Sequence, residues 1–202
     1  MTKFHTSHRF DIAFLAVMAI SVSVAIIFRV AIGDYVYYLH YQPSTKTLQV
    51  GNDAGLSSLG LHYLERTNPE FIDASTIVTS CGPNRLGCLS GHSQAYILDG
   101  PLNQAQTVVT NTHERLHLAY QRLSNSKKTE LAHLIDQAID ENASAGITTE
   151  LASQTDTADR RDEAHSLLGS EYRLLPRELE NYFSEYFSDR SKELKEYALS
   201  IR

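Results

Sequence analysis

A chain of 202 residues with a formal net charge of −6 has room for one membrane segment and one domain with a substantial core. Positive charge is concentrated at the start, where Lys3, Arg9 and Arg29 face only Asp11 within residues 1–33, so the remainder is strongly acidic. An acidic domain without a basic stripe argues against nucleic acid as a partner.

Residues 1–9 are short and polar and predict a cytoplasmic N-terminus. Ile12 to Phe28 is an uncharged run of seventeen residues, the low end for a spanning helix. Val30 to Ile32 extends it, with Arg29 able to snorkel. This predicts a single-pass transmembrane anchor over 10–33, uncleaved because no A-x-A processing site follows. Positive residues before it and an acidic chain after it put the N-terminus inside and the domain outside the cytoplasm. Residues 34–51, opening with Tyr35, Tyr37 and Tyr38 at the membrane face, predict a stalk, and 52–202 the domain.

Asn52 to Arg66 reads as a helix with Leu56, Leu59, Tyr63 and Leu64 apolar, broken by Asn68-Pro69. Thr76 to Thr79 is β-branched and predicts a strand running into Cys81. Cys81 and Cys88 are separated by six residues, too many for a CxxC zinc pair. A local disulfide across a Gly/Pro turn is expected in an oxidising compartment, and two reduced thiols otherwise. Gln94 to Leu98 is a second strand, closed by the turn Asp99-Gly100-Pro101.

A helix then runs from about Leu102 to Leu123. Within it His113, Glu114 and His117 form an H-E-x-x-H. Positions i and i+4 lie one turn apart on one helix face, so both imidazoles can address one ion while Glu114 reaches a water on it. Leu116, Ala119, Tyr120 and Leu123 give the helix an apolar stripe. Arg115 must point away from the ion or pair with an acid. Ser126 to Asp140 is a further amphipathic helix, and Glu141 to Thr157, rich in Ser, Thr and Ala, predicts a mobile loop. Ala158 to Leu168 is helical, and Pro176 starts the last helix. Its aromatic face of Leu179, Tyr182, Phe183, Tyr186 and Phe187 predicts core.

A catalytic zinc takes three protein ligands and leaves one position for water. A metzincin would place a Gly and a third His soon after the motif, where Tyr120 and Leu123 stand, so the third ligand lies further on. Asp162-Glu163-Ala164-His165-Ser166 supplies it: Glu163 is preferred and His165 is the rival, because two residues two apart on a helix cannot face one ion. With Glu163 as ligand, His165, Tyr172 or Arg173 is available to donate to the substrate carbonyl or oxyanion. Tyr120 and Glu171 are candidates to hold a ligand histidine in one tautomer.

The H-E-x-x-H helix followed by a Glu-bearing helix resembles the gluzincin zinc metallopeptidases. Asp-Glu-Ala-His-Ser loosely resembles their Asn-Glu-x-x-Ser, with Asp162 in place of Asn. The run from Glu163 to Phe187, and Leu86-Gly87-Cys88 before the motif, resemble uncharacterised bacterial membrane-anchored metallopeptidases, a likeness over roughly residues 55–190. The predicted elements give an α+β fold, a small β-sheet of Thr76–Thr79 and Gln94–Leu98 on the motif helix and further helices, which with the resemblance reads as a mainly helical zincin-like domain after the transmembrane helix. The resemblance implies Zn2+ held by His113, His117 and Glu163, with Glu114 as general base; His165, from its place beside Glu163, is expected as a second catalytic residue. The substrate is then a peptide or protein, paired with an edge strand for which Gln94–Leu98 is the candidate. From a different class, the chain reads as a non-catalytic binding domain on the same fold, which Arg115 favours.

Overall fold

A computed structural model describes residues 14–24, 28–91, 93–99 and 103–201. The chain divides into two compact units, Met1–Gln42 and Pro43–Arg202. In the first, residues 14–24 are helical (α1) and Arg29–Tyr38 form α2. The predicted transmembrane anchor over 10–33 is corrected here: among the described residues no helix is long and apolar enough to cross a membrane. The described part of α1 has eleven residues, where a bilayer core needs about 20, and α2 brings in Asp34 and three tyrosines. The single-pass, extracytoplasmic localisation depended on that anchor and falls with it. Residues 1–13 and 25–27 of the prediction lie outside the described residues.

The second unit opens with two helices where a stalk and one long helix were expected, α3 (Thr45–Asp53) and α4 (Ser58–Arg66). Each starts on a serine whose hydroxyl accepts from a backbone N–H in the first turn, Ser44 from Thr47 and Ser57 from Gly60. Next come β1 (Glu70–Ile72) and α5 (Ala74–Cys81). The expected strand at Thr76–Thr79 is therefore helix. Asp73 accepts from the N–H groups of Ser75 and Thr76 and from both hydroxyls, and this cap outweighs the β-preference of the residues behind it.

After β2 (Gly87–Ser90) and β3 (Gln94–Leu98) the three-stranded sheet is complete, in the order β1-β3-β2. β1 lies parallel to β3 and β2 antiparallel to it. Gln94–Leu98 is thus the central strand, and the edge beside the long helix is β2, which corrects the expected substrate-pairing strand. Ala95 and Ile97 of β3 are buried on one face. Tyr96 and Leu98 pack on the other with Ile72, Ile77 and Cys81. A disulfide joins Cys81 at the end of α5 to Cys88 in β2.

The main core is helical. α6 (Gln104–Gln121), α7 (Asn125–Glu141), α9 (Thr157–Ser170) and α10 (Arg177–Phe183) bury Leu116, Ala119, Ile135, Ala138, Leu168, Leu179 and Phe183 together. The segment expected as a mobile loop over 141–157 holds α8 (Ile147–Glu150) between two 3-10 turns, and Ile147 and Leu151 pin it to the core. Pro176 caps α10, and a further helix, α11 (Arg190–Ser200), follows and packs along α6. Apart from the membrane helix, the predicted α+β class corresponds to what is found, a mainly helical unit with one small sheet.

Candidate metal centre

Helix α6 is nucleated by a reciprocal cap: Asn103 Oδ1 accepts from Gln106 N–H, and Gln106 Oε1 accepts from Asn103 N–H. Val108, Thr112, Arg115, Leu116 and Ala119 then turn inward, all fully buried. His113 and His117 lie at the margin of that face, partly exposed, with Nε2 atoms 3.1 Å apart. Helix α9 packs closely on α6 because residue 169 is glycine: a Cβ there would stand 2.5 Å from Leu116 Cδ1 and 2.8 Å from Phe183 Cε1. That approach brings Glu163 to the histidines, Oε1 3.6 Å from His113 Nε2 and Oε2 3.5 Å from His117 Nε2. His113, His117 and Glu163 form a group that could hold a metal ion.

The outer nitrogens decide how the inner ones behave. His117 Nδ1 lies 2.8 Å from Asp162 Oδ1, and a carboxylate only accepts, so Nδ1 carries the proton and Nε2 keeps its lone pair for the centre. Gln121 donates to the other Asp162 oxygen and fixes its rotation. His113 Nδ1 faces Glu171 Oε1 at 3.4 Å. One helix, α9, therefore carries the carboxylate candidate ligand and the acid behind each histidine, with Glu171 just past its last residue. Burial alone would lower His113, but the Glu171 hydrogen bond and the charges of Glu114, Glu171 and Glu163 outweigh it and raise it to about 9. Positive charge is thus favoured at this point. A cation held by His113, His117 and Glu163 would satisfy it, and the donor set of two imidazoles and a carboxylate fits a metal. Asp162→Ala is expected to weaken metal binding about 10- to 100-fold, read by titration against a competing chelator. Unchanged affinity would remove Asp162 from the site.

Two pockets, of about 290 and 450 Å³, meet at this point. Both are lined by Arg85, Gly87, His113, Glu114 and Glu163. The smaller continues along Cys88, Leu89, Gln121, Asp159 and Asp162, the larger along Leu86, Val109, Glu171, Tyr197 and Ile201. Edge strand β2 forms a wall of each. It can lie so near α6 because Gly87 has no side chain: a Cβ there would meet Thr110 Cγ2 at 2.6 Å. Glu114 is largely buried but reaches both pockets beside His113.

The other sequence candidates lie elsewhere. His165, expected as a catalytic residue or rival ligand, is fully buried on the core side of α9. Its Nε2 is 2.9 Å from the Tyr182 hydroxyl, and its ring packs between Tyr120 and Phe183. Burial, with His117, Arg115 and His113 nearby, lowers it to about 3, so it is a neutral core histidine. The helix turns Glu163 and His165 to different sides, which is why only one of them reaches the cleft. Tyr120 packs at a tilt against His165 rather than on a ligand, Tyr172 donates to Glu150, and neither Tyr172 nor Arg173 lines either of these two pockets. Arg115 points into the core, its guanidinium 4.9 Å from the Phe187 ring. Sequence reasoning passed over Arg85, for which no spacing rule exists, and took Asp162 as a departure from a motif when it sits behind His117.

No protein-family model matches this chain, and no match was found among curated proteins or solved structures.

Proposed function

We propose that this chain is a zinc-dependent peptidase. The observation that carries the reading is the convergence of His113 Nε2, His117 Nε2 and Glu163 on one point, with the carboxylate of Glu114 in the cleft wall beside them. Two imidazoles and one carboxylate are a donor set that suits zinc and leaves a position for water. Zinc held there would polarise a carbonyl and bring the pKa of a bound water to around 7.

The remaining work falls to the chain's own groups. Asp162 and Glu171 hold the imidazoles in the tautomer that presents Nε2. Glu114 takes the proton of the attacking water and delivers it to the departing amine, so one carboxylate serves first as base and then as acid. The substrate would lie extended along β2, which among the described residues pairs with β3 alone and whose Gly87, Cys88 and Leu89 line the cleft. The alternative of a non-catalytic binding domain drew its support from Arg115, and that side chain is turned away from the cleft into the core.

Metal content tests the reading at its base. Purified protein supplied with zinc should hold one ion per chain. Glu163→Ala should lose it, while His165→Phe, which preserves packing among the aromatic rings, should keep it. A wild-type protein that takes up no zinc overturns the proposal.

A further inference from the structure

The two pockets contain several carboxylates, and among the described residues Arg85 is the one lysine or arginine that lines either of them. It is exposed, and among the described residues it engages no carboxylate, although Glu114, Asp159, Asp162, Glu163 and Glu171 line the same cleft. Of the five residues shared by both pockets, two are candidate ligands, Glu114 is the base and Gly87 offers only backbone. Arg85 is the remaining donor side chain at the junction. Its loop is pinned on both sides, by the Cys81–Cys88 disulfide and by the close seat of Gly87 against Thr110.

Resting on the peptidase reading, we infer that Arg85 is the residue that binds the oxyanion formed at the scissile carbonyl. As the water oxygen bonds to the carbonyl carbon, the C=O π pair moves onto oxygen, and Glu114 holds the proton released. The guanidinium donates to that oxygen and its charge opposes the developing negative charge. When the C–N bond breaks, the pair returns to the carbonyl, the proton passes to the amine and Arg85 is left unpaired again. Because Arg85 borders both pockets, a substrate chain continues past it on each side. A residue that anchored a terminal carboxylate would instead stand at the end of one pocket. This role belongs to none of the residues first considered for it: His165 is in the core, and Tyr172 and Arg173 line neither pocket.

The test uses the full-length zinc-loaded protein and a fluorogenic peptide that the wild type cleaves, prepared with a free C-terminal carboxylate and as the C-terminal amide. Arg85→Ala should lower kcat about 100- to 1,000-fold with little change in KM, equally on both peptides. Zinc content and melting temperature should stay at the wild-type level, and added guanidinium ion should restore part of the rate. Arg85→Lys should fall between, since it keeps the charge but not the planar pair of donors. A loss confined to KM on the free-carboxylate peptide would make Arg85 a substrate anchor and overturn the inference. Wild-type kinetics in Arg85→Ala would overturn it while leaving the peptidase reading intact. A wild type that binds zinc and cuts no peptide overturns both.

Discussion

Glu114→Gln should leave zinc content unchanged and reduce peptide hydrolysis about 10²- to 10⁴-fold, the range that a positioned general base supplies. The substitution keeps the shape of the side chain and removes its ability to take a proton. Glu114 lines both pockets but is not one of the three residues that could hold the ion. Retained metal with lost turnover therefore separates proton transfer from metal binding, as no ligand substitution can. Full activity in Glu114→Gln would remove it as the base. Loss of metal along with activity would show that the carboxylate helps to hold the ion.

The second large effect is on stability. Arg115 is fully buried between the core and α11, with Glu193 of α11 facing the same space and accepting from Thr112. Burial lowers Arg115 and raises Glu193, and the charge of each works against the burial shift of the other without cancelling it. Where Glu193 is ionised, Arg115→Ala leaves a buried carboxylate without its countercharge, a change that typically costs about 3–5 kcal/mol. That is a large share of the roughly 5–15 kcal/mol by which domains are stable. The pH dependence has a definite sign. Glu193 holds its proton to about 8 in the folded chain, above the ordinary 4.5, so its burial costs stability increasingly as pH rises through that window. Denaturant titrations should show Arg115→Ala more destabilised at pH 8 than at pH 6. Arg115→Met combined with Glu193→Gln should recover most of the loss, because a paired charge replaced on both sides leaves nothing stranded. Equal stability of Arg115→Ala and wild type at both pH values would show that the pair contributes nothing.

What could be read before folding was what one element determines by itself. His113, Glu114 and His117 sit on a single helix, so their relation follows from its pitch. Apolar spacing likewise located α6, α7 and α9. Errors arose where a competing local or distant interaction prevailed. Thr76 to Thr79 has strand-forming residues, but Asp73 caps a helix through them. The Ser/Thr/Ala-rich stretch after Glu141 looked mobile, yet two residues in it, Ile147 and Leu151, reach the core and order it. β1 is three residues long and carries too little pattern to register. Glu163 was preferred only because a third ligand was required. Its position depends on Gly169 letting two helices approach, which no spacing within α9 reveals. Arg85 reaches the cleft through sheet pairing and a crosslink, both invisible to periodicity.

The three residues that could hold a metal ion come from two helices, α6 and α9, separated in sequence by α7 and α8. An ion held by all three would act as a rivet between them, closing a long loop of chain as a crosslink does. Ligand present at a hundred times its dissociation constant adds about 2.7 kcal/mol to stability. Loss of such an ion would then do more than end the proposed peptidase activity. It would loosen the helix pair at the middle of the core and expose the chain to proteolysis, so the lifetime of the protein would follow the supply of metal around it.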